Sequence, residues 1–81
     1  MRPEDILTLL RAQPFVPFRF HLSNGTTYEI RHPEFVMVGR SSLVIGLPRP
    51  NAREPVYDRF VTVALLHINQ IEPLVSPSQP A

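Results

Sequence analysis

Between Phe18 and Ile30 the side chains alternate so strictly that one backbone periodicity fits. Phe18, Phe20 and Leu22 interleave with Arg19, His21 and Ser23, and Tyr28 and Ile30 interleave with Thr27, Glu29 and Arg31. A period of two belongs to an extended strand with one face buried. Asn24-Gly25 lies between the two runs and marks a turn. The register follows from which faces it creates. A two-residue turn at Asn24-Gly25 places Phe20 opposite Glu29 and mixes apolar with charged side chains. A three-residue loop, Ser23-Asn24-Gly25 with Gly25 left-handed, pairs Leu22 with Thr26. It then sets Phe20 opposite Tyr28, Phe18 opposite Ile30 and Arg19 opposite Glu29. One face becomes aromatic and aliphatic, and the other gains an opposite-charge pair. A one-residue slip destroys both faces, so the second register is expected.

The remaining elements are punctuated by ten prolines. Residues 3–12 predict a helix. Pro3 suits its first position, Glu4 and Asp5 favour the positive end of its dipole, and Arg11 favours the other. Ile6, Leu9 and Leu10 form one apolar stripe, widened by Leu7, and Pro14 stops the helix. So short a helix is stable only when docked. Pro14-Phe15-Val16-Pro17 is an extended connector, with Phe15 closing the gap between helix and sheet. His32-Pro33-Glu34 breaks the second strand, with His32 capping local backbone. An apolar run follows over 35–38, then a turn at Gly39-Arg40-Ser41-Ser42. A third strand over 43–47 is apolar enough to be buried on both faces. Residues 48–55 form a polar loop with Pro48, Pro50 and Pro55. A fourth strand spans 58–65, Leu65-Leu66-His67 forms a tight turn or a single 3₁₀ turn, and Ile68, Ile71 and Glu72 form a last strand ended by Pro73. Residues 1–75 read as one domain and 76–81 as a disordered tail. The expected core is Ile6, Leu9, Leu10, Phe15, Phe18, Phe20, Leu22, Tyr28, Ile30, Phe35, Val44, Val63, Leu66, Ile68 and Ile71.

Composition limits the function classes. The chain has 81 residues, no cysteine and a formal charge of +1 from eight basic and seven acidic groups, all the basic ones Arg. A core this small is marginal unless supplemented. Disulfides and thiolate zinc sites are excluded, so association with another copy or another protein is the supplement to expect. So small a net charge gives no global field to attract nucleic acid or membrane. No apolar run is long enough to cross a bilayer. The opening Met1-Arg2-Pro3-Glu4-Asp5 puts acids where a secretory leader carries positive charge, which predicts a cytoplasmic location.

The catalytic and metal-binding patterns are weak. His21, His32 and His67 have no ligand spacing between them, and only His32 has a nearby carboxylate, Glu34. Ser41 and Ser42 lack a strained nucleophile motif, and three glycines make no phosphate loop. The expectation is a non-enzyme without cofactor or metal. The remaining candidates are contacts to a partner or to RNA: Arg19 and Arg31 on the solvent face of the first hairpin, Arg53 and Arg59 near the proline loop beside Tyr57, and His67.

One helix followed by about five short strands in meander order, with a 3₁₀ turn before the last, resembles the Sm-like branch of SH3-type barrels. This implies a mainly β (α+β) fold: a small five-stranded antiparallel barrel whose closure hides its strand edges, with the helix across one open end. The chain also resembles a family of small bacterial proteins of no assigned activity. The resemblance rests on Leu9-Leu10, Pro14-Phe15-Val16-Pro17-Phe18, Leu22-Ser23-Asn24-Gly25, His32-Pro33-Glu34-Phe35 and Val63-Ala64-Leu65-Leu66-His67-Ile68. Bacterial Sm-like rings that bind RNA place a basic residue and a His near the start of the last strand. His67 matches that His, and Leu66 stands where the basic residue would be. Two functions are therefore expected in order: a non-catalytic protein-interaction or self-assembly module, and an Sm-like RNA-binding ring.

Overall fold

A computed structural model describes residues 1–49 and 57–74. The proline loop beyond Arg49, with Arg53 in it, and the expected disordered tail lie outside the described residues. Helix α1 (Pro3–Arg11) starts as its sequence dictates. The Arg2 N–H donates to the Asp5 carboxylate at 3.4 Å, and Thr8 Oγ1 donates to the Glu4 carbonyl at 2.9 Å. Ile6 is fully buried in the core, while Leu9 and Leu10 pack against its margin. The chain then passes Gln13-Pro14, a cis peptide bond, into the first strand.

Strands β1 (Phe18–Leu22) and β2 (Thr27–Ile30) form the expected hairpin, with Phe18 opposite Ile30, Arg19 opposite Glu29 and Phe20 opposite Tyr28. Gly25 is left-handed at φ 88°, and the Leu22 N–H donates to Thr26 O at 2.9 Å, so the loop is the three-residue form. Pro33 then breaks the chain into a 3₁₀ turn, Pro33–Phe35, before β3 (Val36–Val38). Strands β4 (Ser42–Pro48) and β5 (Tyr57–Ala64) complete a meander. A second 3₁₀ turn, Leu65–His67, leads into β6 (Ile68–Pro73), which returns to pair with β1.

The strands make two antiparallel sheets of three, in the orders β2-β1-β6 and β3-β4-β5. This corrects the expected closed five-stranded barrel. There are six strands because Pro33 divides one run into β2 and β3. No ladder joins the two sheets among the described residues, because Pro33, Pro48 and Pro73 interrupt or end strands before the sheets meet. Edges expected to be hidden therefore stay unpaired by backbone among the described residues.

The core lies between the sheets. Phe18, Phe20 and Ile30 from the first meet Val36, Leu43, Ile45 and Val63 from the second, with Leu65 and Ile68 closing one end. Phe18 and Phe20 meet edge to face with centroids 5.1 Å apart, and Phe15 tilts onto Phe18 at 5.9 Å. Two core assignments are corrected. Val44 is only half-buried, because Leu43 and Ile45 hold the inward parity of β4. Leu66 is 76% exposed, and Leu65 is buried in its place. The expected burial of β4 on both faces is accordingly incomplete.

Candidate interaction surfaces

The outer face of the first sheet is polar and internally matched. Arg19, in the central strand, donates to Glu29 on one neighbour and, at 3.1 Å, to Glu72 on the other. Arg31 donates to the second oxygen of Glu29 at 2.9 Å, and His21 Nε2 lies 2.9 Å from Glu72. The hydrogen bond from Arg19, aided by Arg31, holds the Glu29 carboxyl below its ordinary range. Glu72 is held down chiefly by His21, then by Arg19. Arg19 itself is raised, mainly by Glu29. Two guanidinium groups thus face two carboxylates, and the face presents no excess of positive charge. Arg19–Glu29 follows from the hairpin register. Glu72 was not legible as a partner, since nothing local to it indicates that β6 returns beside β1.

The outer face of the second sheet is apolar. Met37, Val44 and Thr62 form one cross-strand row, and Gly46 faces Phe60 in the next. Met37 is 67% exposed and Phe60 61%. A bulge at Asp58, where Arg59 pairs with Leu47 but Tyr57 with Pro48, turns Tyr57 to the same side as Phe60. The Tyr57 ring lies over Gly46, where an added Cβ would sit 2.3 Å from its ring carbons. Its hydroxyl donates to the Glu34 carbonyl at 2.5 Å. The rings of His32, Phe35, Tyr57 and Phe60 follow one another at centroid spacings of 5.3, 4.9 and 5.0 Å. His32 makes no side-chain cap, contrary to expectation; its ring lies against Phe35 instead. Tyr57 was anticipated only as a neighbour of the arginines, because a bulge leaves no periodic signal.

The other sequence candidates are dispersed. Arg59 is exposed on β5, in the opposite sheet from Arg19 and Arg31. His67 is exposed on the second 3₁₀ turn, which is held at both sides. Its carbonyl accepts from the Ser23 N–H at 2.8 Å and the Ser23 hydroxyl at 3.1 Å, and the Leu65 N–H donates to Ser41 O at 2.9 Å. The three histidines do not converge, and no group of three potential metal ligands occurs among the described residues. No described helix is long and apolar enough to cross a membrane.

Fold and surfaces together define a small two-sheet antiparallel β domain with one docked helix, one salt-bridged face and one apolar face. Comparison with protein-family models, curated proteins and solved structures returns no match.

Proposed function

We propose that the protein is a non-catalytic interaction module that associates with a second copy of itself through the outer face of the β3-β4-β5 sheet. The supporting observation is the contrast between the two outer faces. One is matched by ion pairs, and the other leaves Met37, Val44, Tyr57 and Phe60 facing outward. Exposed apolar side chains grouped on one face mark interaction sites more often than scattered ones do. A second copy is the favoured occupant because a domain of 81 residues without cysteine gains most from association, and a formal charge of +1 gives two copies little mutual repulsion. Sedimentation velocity at micromolar concentration tests the reading. The wild-type chain is expected to run heavier than a monomer, and Phe60→Glu is expected to run as a folded monomer. A wild-type monomer across that range overturns it.

A second reading is an Sm-like RNA-binding protein. Counting β2 and β3 as one strand bent at Pro33 gives a helix and then five strands with a 3₁₀ turn before the last, an order compatible with this reading. The exposed His67 on the 3₁₀ turn before the last strand also supports it. Arg59 would be its nearest cation along β5 without an ion pair among the described residues, since Arg19 and Arg31 already face carboxylates. Binding of oligo-U or oligo-A that weakens steeply with salt is expected on this reading, and its absence at low salt removes it.

A further inference from the structure

A cleft of about 450 Å³ opens between the two sheets. One wall is the tip of the first hairpin, with Leu22, Ser23, Asn24 and Tyr28; the other is Thr62, Val63 and Ala64 of β5, with His67 at the end. Alternate residues of a strand point to opposite faces. Three consecutive residues can border one cleft only where it runs along the strand's edge.

The ladder identifies which backbone groups that edge presents. The Gly39 N–H donates to Ser42 O, and the Leu65 N–H donates to Ser41 O. Pairs alternate along an antiparallel ladder. Val44 therefore bonds toward β3, while Leu43 and Ile45 bond toward Val63 and Val61 of β5. The N–H and C=O of Phe60, Thr62 and Ala64 consequently point away from β4. Among the described residues, β5 pairs with β4 alone. The groups of Thr62 and Ala64 thus border the cleft without a backbone partner among the described residues.

The facing wall is fixed in place. Ser23 is joined to the His67 carbonyl through both its N–H and its hydroxyl, and Asn24 Oδ1 accepts from the Thr26 N–H at 3.0 Å. That wall leaves a slot beside the edge rather than an open margin, so a strand embedded in another sheet would meet the hairpin. No Arg or carboxylate lines the slot; its titratable side chains are Tyr28 and His67. A charged occupant would lose water there without a counter-charge. Leu22, Tyr28, Val63 and Ala64 supply apolar surface.

We infer that this slot takes a single extended, uncharged peptide segment, which adds as a strand to the β5 edge through the backbone groups of Thr62 and Ala64. Main-chain hydrogen bonds would provide affinity, and the apolar wall would select the side chains. The site uses the backbone edge of β5 rather than the outer face proposed for self-association, with Thr62 bordering both, and Phe60→Glu is expected to leave it intact.

The test uses the blocked peptide acetyl-Thr-Val-Thr-Val-Thr-amide, titrated into the ¹⁵N-labelled full chain. Amide shifts are expected at Thr62, Ala64, Ser23 and Asn24, with slowed exchange at Thr62 and Ala64. Thr62→Pro removes an edge N–H without touching the β4 ladder and is expected to weaken binding at least tenfold. Should that variant fail to fold, the same peptide N-methylated at its central residue serves on the wild-type chain, with the same expected loss. Acetyl-Glu-Val-Glu-Val-Glu-amide is also expected to bind at least tenfold more weakly. The inference is overturned by no shifts at millimolar peptide, by shifts that map elsewhere, or by equal binding of the N-methylated or acidic peptide.

Discussion

Leu65 and Leu66 are neighbours of identical chemistry with opposite fates. The 3₁₀ turn that carries them aims Leu65 into the core at 3% exposure and Leu66 into solvent at 76%. Leu65→Ala is expected to cost about 2–5 kcal/mol, and Leu66→Ala to stay within about 0.5 kcal/mol. Urea unfolding of the two variants checks this; similar losses would place both side chains in the core. A second residue-scale constraint joins Gly46 to Tyr57. A methyl group at Gly46 must displace the Tyr57 ring, which is held by its bond to Glu34 and its contact with Phe35. Gly46→Ala is expected to cost about 1–3 kcal/mol, as overpacking does. In a Tyr57→Ala background the same change should cost almost nothing, because the obstructing ring is gone. Denaturant titrations of the double-mutant cycle measure that coupling.

At the scale of elements, β1 is the strand on which the first sheet depends. Its inward side carries Phe18 and Phe20, and its outward side places Arg19 and His21 between β2 and β6. Glu29 and Glu72 are held below the ordinary carboxylate range, which lies near pH 4.3. The sign of the pH dependence follows. A depressed carboxylate contributes stability that is complete above its unfolded value and is lost as pH falls through its folded value. Stability should therefore decline as pH drops below about 5. Arg19 is protonated throughout and adds no slope there. Glu72→Gln removes one of the two carboxylates, so its melting temperature should fall below wild type at pH 7. The difference should shrink toward pH 3 and in high salt, since these groups are solvent-accessible. Thermal melts at the two pH values check it; an equal difference at both would remove the electrostatic account.

At the scale of the molecule, the described residues form two small sheets that share a core but do not close around it. If self-association through the apolar face supplements that core, the melting temperature must rise with protein concentration by mass action. Melts over a hundredfold concentration range are expected to show that rise for the wild-type chain and a flat response for Phe60→Glu. A flat wild-type response would leave the domain to stand on its own core.

How much was legible in the sequence varied with the range of the interaction. The hairpin register from Phe18 to Ile30 was fixed by local alternation and one left-handed glycine, because every neighbouring register would have placed charge inside. The helix start and the break at Pro33 were equally local, set by proline's restricted dihedral and missing donor. The pairing of Glu72 with Arg19 and His21, the parity that buries Leu43 and Ile45 rather than Val44, and the choice of Leu65 over Leu66 were not. Neither was the bulge at Asp58 that turns Tyr57 over Gly46. Each depends on which distant strand lies alongside, and short proline-bounded runs carry no signal of that. The β5 edge, which has no second backbone partner among the described residues, is the clearest such case: side-chain alternation specifies which way a strand faces, whereas only the assembled chain decides whether its edge finds a partner.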